Sequence, residues 1–231
     1  MDAQLASILS LAFGLGLVHA LDADHIVAVA GFAGMRSGRT ATIGYALKWA
    51  IGHGTTLLVV GIAAYGLGLA ITPGASVLAE HAVGLVLMLI GVGVLLRLRR
   101  EHLHAHFHAH DEMSAHLHWH AHTPATDAHA AHRHAHTPVL VGLVHGLAGS
   151  APLLALLPIT QHGAKHGAWL GLTWLLLFSV GVLVAMLAFG GVLGAVTSRL
   201  ARRSERALTG LRAAVGLAAL GMGGTLFIAG H

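Results

Sequence analysis

Ala82-Val83-Gly84-Leu85-Val86-Leu87-Met88-Leu89-Ile90-Gly91-Val92-Gly93-Val94-Leu95-Leu96 carries no charged or hydrogen-bonding side chain. It is the centre of an apolar run, Val77–Leu96, that matches the roughly 20 residues of helix needed to cross a bilayer core. Five further runs of this kind lie outward along the chain, near Leu5–Gly34, Thr42–Ile71, Val139–Ile159, Ala168–Val196 and Ala207–Ala229. Their length, and the lack of steady alternation, predict helices rather than strands. Composition agrees. Of the 231 residues 55% are hydrophobic and 10% charged, where a soluble domain is about a quarter charged. Lipid must therefore be the solvent for much of the surface. The expectation is an all-α, polytopic membrane helix bundle of about six transmembrane helices. The 31 glycines imply close helix packing.

Charge sets the expected topology. Arg36 and Arg39 follow the first run, Arg97, Arg99, Arg100 and Arg133 the third, and Arg199, Arg202, Arg203 and Arg206 the fifth, whereas the opposite side has only Lys165. Cytoplasmic loops carry the excess of Lys and Arg. Both termini are thus expected outside the inner (plasma) membrane and the central loop in the cytoplasm. Basic residues confined to short loops between apolar runs read as topology signals rather than nucleic-acid contacts. The start of the chain lacks the positive region of a cleavable signal peptide, so none is expected. With no cysteine in the chain, disulfides and thiolate metal sites are excluded.

The chain repeats itself. Gly16-Leu17-Val18-His19-Ala20-Leu21 recurs as Gly142-Leu143-Val144-His145-Gly146-Leu147, and Ala82-Val83-Gly84-Leu85 as Ala214-Val215-Gly216-Leu217. The expected division is a first three-helix half at 1–97, a histidine-rich loop at 98–137 and a second three-helix half at 138–231. An odd number of spans per half inverts one half relative to the other, a common plan of secondary transporters.

The first run contains His19-Ala20-Leu21-Asp22-Ala23-Asp24-His25. A carboxylate at the centre of a membrane helix costs about 2.5–3.5 kcal/mol on insertion scales, so these residues need partners or a cation. Imidazole with carboxylate suits nickel, cobalt and zinc. On a regular helix His19, Asp22 and His25 share a face. Asp24 then supports a ligand from outside, or the helix is interrupted here. His53, flanked by Gly52 and Gly54, is the next candidate ligand. His145 stands at the position of His19 in the second half, as a pathway ligand or a structural hydrogen bonder. Met88, Met186 and Met222 read as packing residues.

His-Ala-Leu-Asp-Ala-Asp-His-Ile resembles the signature of the nickel/cobalt transporter family, and Gly52-His53-Gly54-Thr55-Thr56 is similar to a second segment of that family. The resemblance implies a secondary permease for nickel or cobalt in which the His-Asp motif is essential. It is stronger in the first half. The second half has only Leu177-Phe178-Ser179-Val180-Gly181 where many importers carry an acidic motif, and a shorter branch, partly associated with urease or other nickel enzymes, is the nearer comparison.

Between residues 102 and 136 stand 13 histidines. His102, His104, His106, His108 and His110 alternate with other residues, as do His116, His118, His120 and His122, followed by His129, His132, His134 and His136. Such a segment cannot bury a core and is expected to be disordered without metal. It suits loose capture of transition metals. Three functions are compatible with these features: uptake of nickel or cobalt, favoured by the intact Asp-Ala-Asp-His; efflux; or metal delivery by an accessory protein without net transport. No nucleophile–base pair, phosphate loop or ATPase motif is present, so no enzyme is expected. The expected cofactor list is empty, the metal ion being cargo. Expected partners are that ion, the lipid bilayer and a cytoplasmic nickel chaperone or metalloenzyme maturation proteins, with no nucleic acid.

Overall fold

The computed structural model describes residues 3–35, 38–67, 72–102, 105–110, 113–119, 136–155 and 164–229. Helices α1 (Ala3–His19), α2 (Ala23–Met35), α3 (Arg39–Gly66) and α4 (Pro73–His102) precede a hairpin of β1 (Ala105–His110) and β2 (Met113–Trp119). Helices α5 (Thr137–Ala155), α6 (Ala164–Arg203) and α7 (Glu205–Ala229) follow it. The bundle is all-α, as its long apolar runs require. Exposed Leu11, Val59, Leu78, Leu89, Val192 and Ile228 give its outside the apolar surface that lipid demands.

The six expected runs resolve less evenly than anticipated. Among the described residues four helices, α3, α4, α6 and α7, are long and apolar enough to cross a membrane. The first run is a broken pair, α1 and α2, bent by 53°, which makes a fifth crossing if the pair is one span. The fourth expected run forms α5, whose stretch Thr137–Gly149 is apolar and whose backbone continues as helix to Ala155. Pro158, at the end of the expected fourth run, lies outside the described residues. The histidine loop also departs from expectation. Its backbone contains an antiparallel hairpin whose register pairs His106 with His118 and His108 with His116. Alternation of His with other residues has the period of a strand as well as that of an extended chelator.

Glycine decides which helices meet. A Cβ on Gly16 would overlap the Phe178 carbonyl, and one on Gly181 the Phe13 carbonyl, so α1 and α6 touch backbone to backbone. Likewise Gly142 lies on the Trp49 carbonyl and Gly52 on the Val139 carbonyl, joining α5 to α3. In α4 and α7, Gly84 and Gly91 face the carbonyls of Gly223 and Gly216, where a Cβ would stand 2.7 Å away in each case. These contacts transform into one another under the internal repeat. Matching Gly16 to Gly142 and Phe178 to Trp49 carries the α1–α6 contact onto α5–α3. Matching Gly84 to Gly216 and Gly91 to Gly223 carries the α4–α7 contact onto itself. The repeat seen in short sequence matches is therefore a repeat of helix packing.

Two cavities lie toward opposite ends of α2, α4 and α5. One, of about 480 Å³, is lined among others by Asp24, Glu80, His145 and Gly149. The other, of about 450 Å³, is lined by Phe32, Met35, Tyr45, Lys48, Arg97 and Thr137 among others. Along α4, the 17 positions from Glu80 to Arg97 correspond to a rise of about 25 Å. At the second cavity the Arg97 guanidinium donates to the Met35 carbonyl at the end of α2, where a cation meets the negative end of the helix dipole.

Gly142→Ala tests the backbone contact between α3 and α5. Overpacking a filled interface costs about 1–3 kcal/mol, so the thermal midpoint of the purified protein should fall, while Gly221→Ala, with open space around it, should leave it unchanged or raise it. Equal midpoints for Gly142→Ala and the parent protein would contradict the packing described.

Candidate metal centre

The break between α1 and α2 builds the site. The last turn of α1 tightens: the Leu21 N–H donates to Val18 at 2.9 Å and the Asp22 N–H to His19 at 3.0 Å. The Asp22 carbonyl then accepts from the Ile26 N–H at 3.1 Å, so Asp22 occupies the cap position of α2, a place that favours Asp. Asp24 follows in the first turn, at the positive end of the dipole. The continuous helix face expected for His19, Asp22 and His25 is therefore replaced by two helix ends meeting at an angle.

This geometry sets the ring orientations. His25 is buried and its Nδ1–H donates to the His19 carbonyl at 2.9 Å. A carbonyl only accepts, so the lone pair of neutral His25 is on Nε2. His19 Nδ1 lies 2.7 Å from Asp22 Oδ2, leaving the buried His19 Nε2 without a partner. Orientation of an imidazole by a carboxylate on its far nitrogen is the usual support for a metal-binding His. Asp22 thus acts on His19 from the cavity side, with its side chain 53% exposed.

His53, fully buried on α3, stacks on Trp49 at 5.1 Å between ring centres. Among the described residues both its nitrogens lack partners. One nitrogen from each of His19, His25 and His53 lies within 4.8 Å of the others, close enough to share an ion. A second group joins His25 to Asp22 and Asp24 at the same spacing, with Asp24 Oδ2 3.8 Å from His25 Nε2. His145 belongs to neither triad. Its ring centre is 5.7 Å from that of His25. Nδ1 donates to the Val141 carbonyl at 2.9 Å and Nε2 is buried without a partner. The structural hydrogen bond and the free lone pair expected as alternatives are both present.

The neighbouring glycines serve packing. Gly52 receives the α5 backbone, while Gly149 stands across from His19 Nε2, 3.5 Å from where its Cβ would be. Met186 is fully buried in the apolar core. Glu80 was not anticipated from sequence. It stands half-buried on α4 and lines the same cavity as Asp22, Asp24 and His25. The sequence signal that could have found it is a carboxylate inside the run Val77–Leu96. Of the loop histidines, His104, His120, His122, His129, His132 and His134 lie outside the described residues. His102, His106, His108, His110, His116 and His118 are described in backbone only, and His136 is exposed just before α5.

Residues 12–218 match the family described as cytochrome C biogenesis protein transmembrane region. The chain belongs to that family. It is also 30% identical over 197 residues to a urease accessory protein UreH from Bacillus sp. (strain TB-90), a match covering 83% of this chain and 78% of that protein. No solved structure matches. These findings overturn the resemblance to the nickel/cobalt transporter family. The His-Ala-Leu-Asp-Ala-Asp-His segment describes one helix break and its donors, whereas the family match spans the packing of both halves. Together with the apolar helices, it makes the chain an integral membrane protein. Without cysteine, this chain has no thiol for disulfide exchange or haem attachment.

His53 supplies a test with two opposite signs. Unpartnered buried polar groups cost about 1–3 kcal/mol each, and bound metal recovers that cost. In protein with residues 103–135 replaced by a short Gly/Ser linker, His53→Leu should raise the thermal midpoint without metal and lose the further rise caused by nickel. A variant less stable without metal, yet stabilised by nickel as the parent is, would show that His53 serves packing alone.

Proposed function

We propose that this protein carries divalent transition-metal ions, nickel or cobalt, across the membrane into the cytoplasm, with the metal as substrate and no catalytic step. The observation that carries this reading is the convergence of ring nitrogens from His19, His25 and His53 within 4.8 Å of one another, those of His19 and His53 buried and unpartnered among the described residues, beside a cavity lined by Asp22 and Asp24. Neutral imidazoles with carboxylates nearby favour a borderline divalent ion over alkali or alkaline-earth ions.

The second cavity supports passage rather than storage. Buried Trp49 stands between Tyr45 and His53 along α3, and the Phe32–Tyr45 stack, with ring centres 4.1 Å apart, lines the second cavity. Trp49 Nε1 and the Tyr45 hydroxyl have no partner there, so both are available to the water around a moving ion. Arg97, Arg99, Arg100, Arg199, Arg202 and Arg203 gather at the second-cavity end by helix direction. By the positive-inside rule that end faces the cytoplasm, the site cavity faces outward and both termini lie outside. The histidine loop leaves α4 just beyond Arg97 and returns at Thr137, and both residues line the second cavity. This anchoring suits a cytoplasmic receiver for the ion.

Energetics favour the inward direction. One charge crossing 100 mV is worth about 2.3 kcal/mol, so a dication entering a negative interior gains about twice that without ATP or a coupling ion. A second reading is delivery of metal to a maturing metalloenzyme without net transport. It draws support from the accessory-protein name of the relative, and is compatible with cytoplasmic metallochaperones as partners.

Radioactive nickel uptake into proteoliposomes with an imposed inside-negative potential separates the two. The expected result is uptake by the parent protein, loss of at least about tenfold in His25→Ala, and a smaller loss in Asp22→Asn, whose effect runs through orientation of His19. Nickel binding without flux would favour delivery. Parent-level uptake by His25→Ala would refute the site.

A further inference from the structure

We propose that Glu80, with Asp22 and Asp24, forms an outer oxygen-donor station in the site cavity, where the divalent ion is held still partly hydrated before the imidazoles receive it. The inference rests on the transport reading and adds to it a second, less selective site.

Three carboxylates from separate places in the fold share this cavity: Asp22 from the helix break, Asp24 from the first turn of α2 and Glu80 from α4. Among the described residues Glu80 makes no hydrogen bond or ion pair, although it sits within an apolar, membrane-crossing helix. A carboxylate so placed requires a cation or water, and three facing one space repel one another until a cation arrives. The cavity also receives a group that asks for a ligand. His145 is only 1% exposed and lines the same space, yet its Nε2 has no partner. The volume is about 480 Å³, against about 30 Å³ for a water molecule. An ion with much of its hydration shell therefore fits beside His19 and His25, whereas His53, the third imidazole of the triad, is fully buried and not among the residues that line this space.

Position 80 is also where the repeat breaks its symmetry. With Ala82 matched to Ala214, Glu80 corresponds to Arg212. Arg212 lies against Gly34 near the end of α2, its Cγ 3.7 Å from where a Gly34 Cβ would be. The packing repeat is kept while the charge reverses, so packing does not account for an acid at position 80. An acid at one end and bases at the other match a path that gathers cations outside and releases them inside.

Donor chemistry divides the work. Carboxylate and water accept calcium and magnesium as readily as nickel, whereas imidazole discriminates. Calcium should therefore compete at the outer station of the parent protein although it does not pass. The test is nickel uptake by the full chain in proteoliposomes, with and without calcium. Glu80→Gln, which keeps size and shape, should raise the nickel KM roughly tenfold with a smaller loss in maximal rate, and should raise the half-inhibitory calcium concentration by a similar factor. Glu80→Asp, which keeps the charge, should return both toward parent values. Parent-level KM and calcium inhibition in Glu80→Gln would overturn the proposal, as would a Glu80→Asp variant indistinguishable from Glu80→Gln. His25→Ala in the same assay keeps the two questions apart. Its loss of uptake with Glu80→Gln at parent values overturns the outer station alone, whereas its retention of uptake overturns the transport reading beneath it.

Discussion

A main-chain carbonyl left over inside a membrane has to find a donor, because no water of the bilayer core will supply one. At the end of α1 the His19 carbonyl finds two, the Asp22 N–H and the His25 ring. The second bond lets the helix stop in apolar surroundings. It also commits His25 Nδ1 to the backbone and leaves Nε2 as the lone-pair nitrogen. Asp22, freed by the break to cap α2, does the same for His19. Support of the break and arming of the site are one set of interactions, and the donors of α3 and α5 have only to be brought up to it.

Glycine brings them up. The α5 backbone lies on α3 at Gly52, Gly142 and Gly146, which carries His145 to Trp49, on whose ring His53 stacks one turn along α3. Thr56 ties the contact by donating to the Leu143 carbonyl at 3.0 Å. The equivalent α1–α6 contact places Phe178 5.3 Å from the His19 ring. Repeat-related contacts thus surround the site with apolar rings, while nearly all the donors come from the first half. The second half holds Ala148 where the first has Asp22, and Val182 where it has His53. Symmetry supplies the scaffold and its loss supplies the chemistry.

How much of this was legible in sequence differs by level. Apolar run length specified a membrane helix bundle, and Gly16 and Gly142 with their neighbours revealed the repeat, because both signals are local. The candidate donors stood out because intramembrane His and Asp are costly without a purpose, and the structure brings His19, His25 and His53 together. The break was less so. No Gly or Pro marks residues 19–25, so an interrupted helix stood only as the alternative to a continuous face, and the signal that decides it is Asp22 at a cap position followed by Asp24. Glu80 was missed because its cavity forms only when α4 meets the broken helix, a long-range fact. Family membership was misjudged from two short segments around His19–His25 and His53, since a few residues can place candidate donors without defining the chain around them.

The central claim is that His19, His25 and His53 hold one metal ion through ring nitrogens. X-ray absorption of the purified protein, with residues 103–135 replaced by a short Gly/Ser linker and loaded with one equivalent of nickel, addresses that claim most directly. The account predicts the multiple-scattering pattern of about three imidazoles with oxygen completing the shell, and the loss of one imidazole contribution in His53→Leu. A spectrum of nickel surrounded by oxygen alone, unchanged by that substitution, would contradict it.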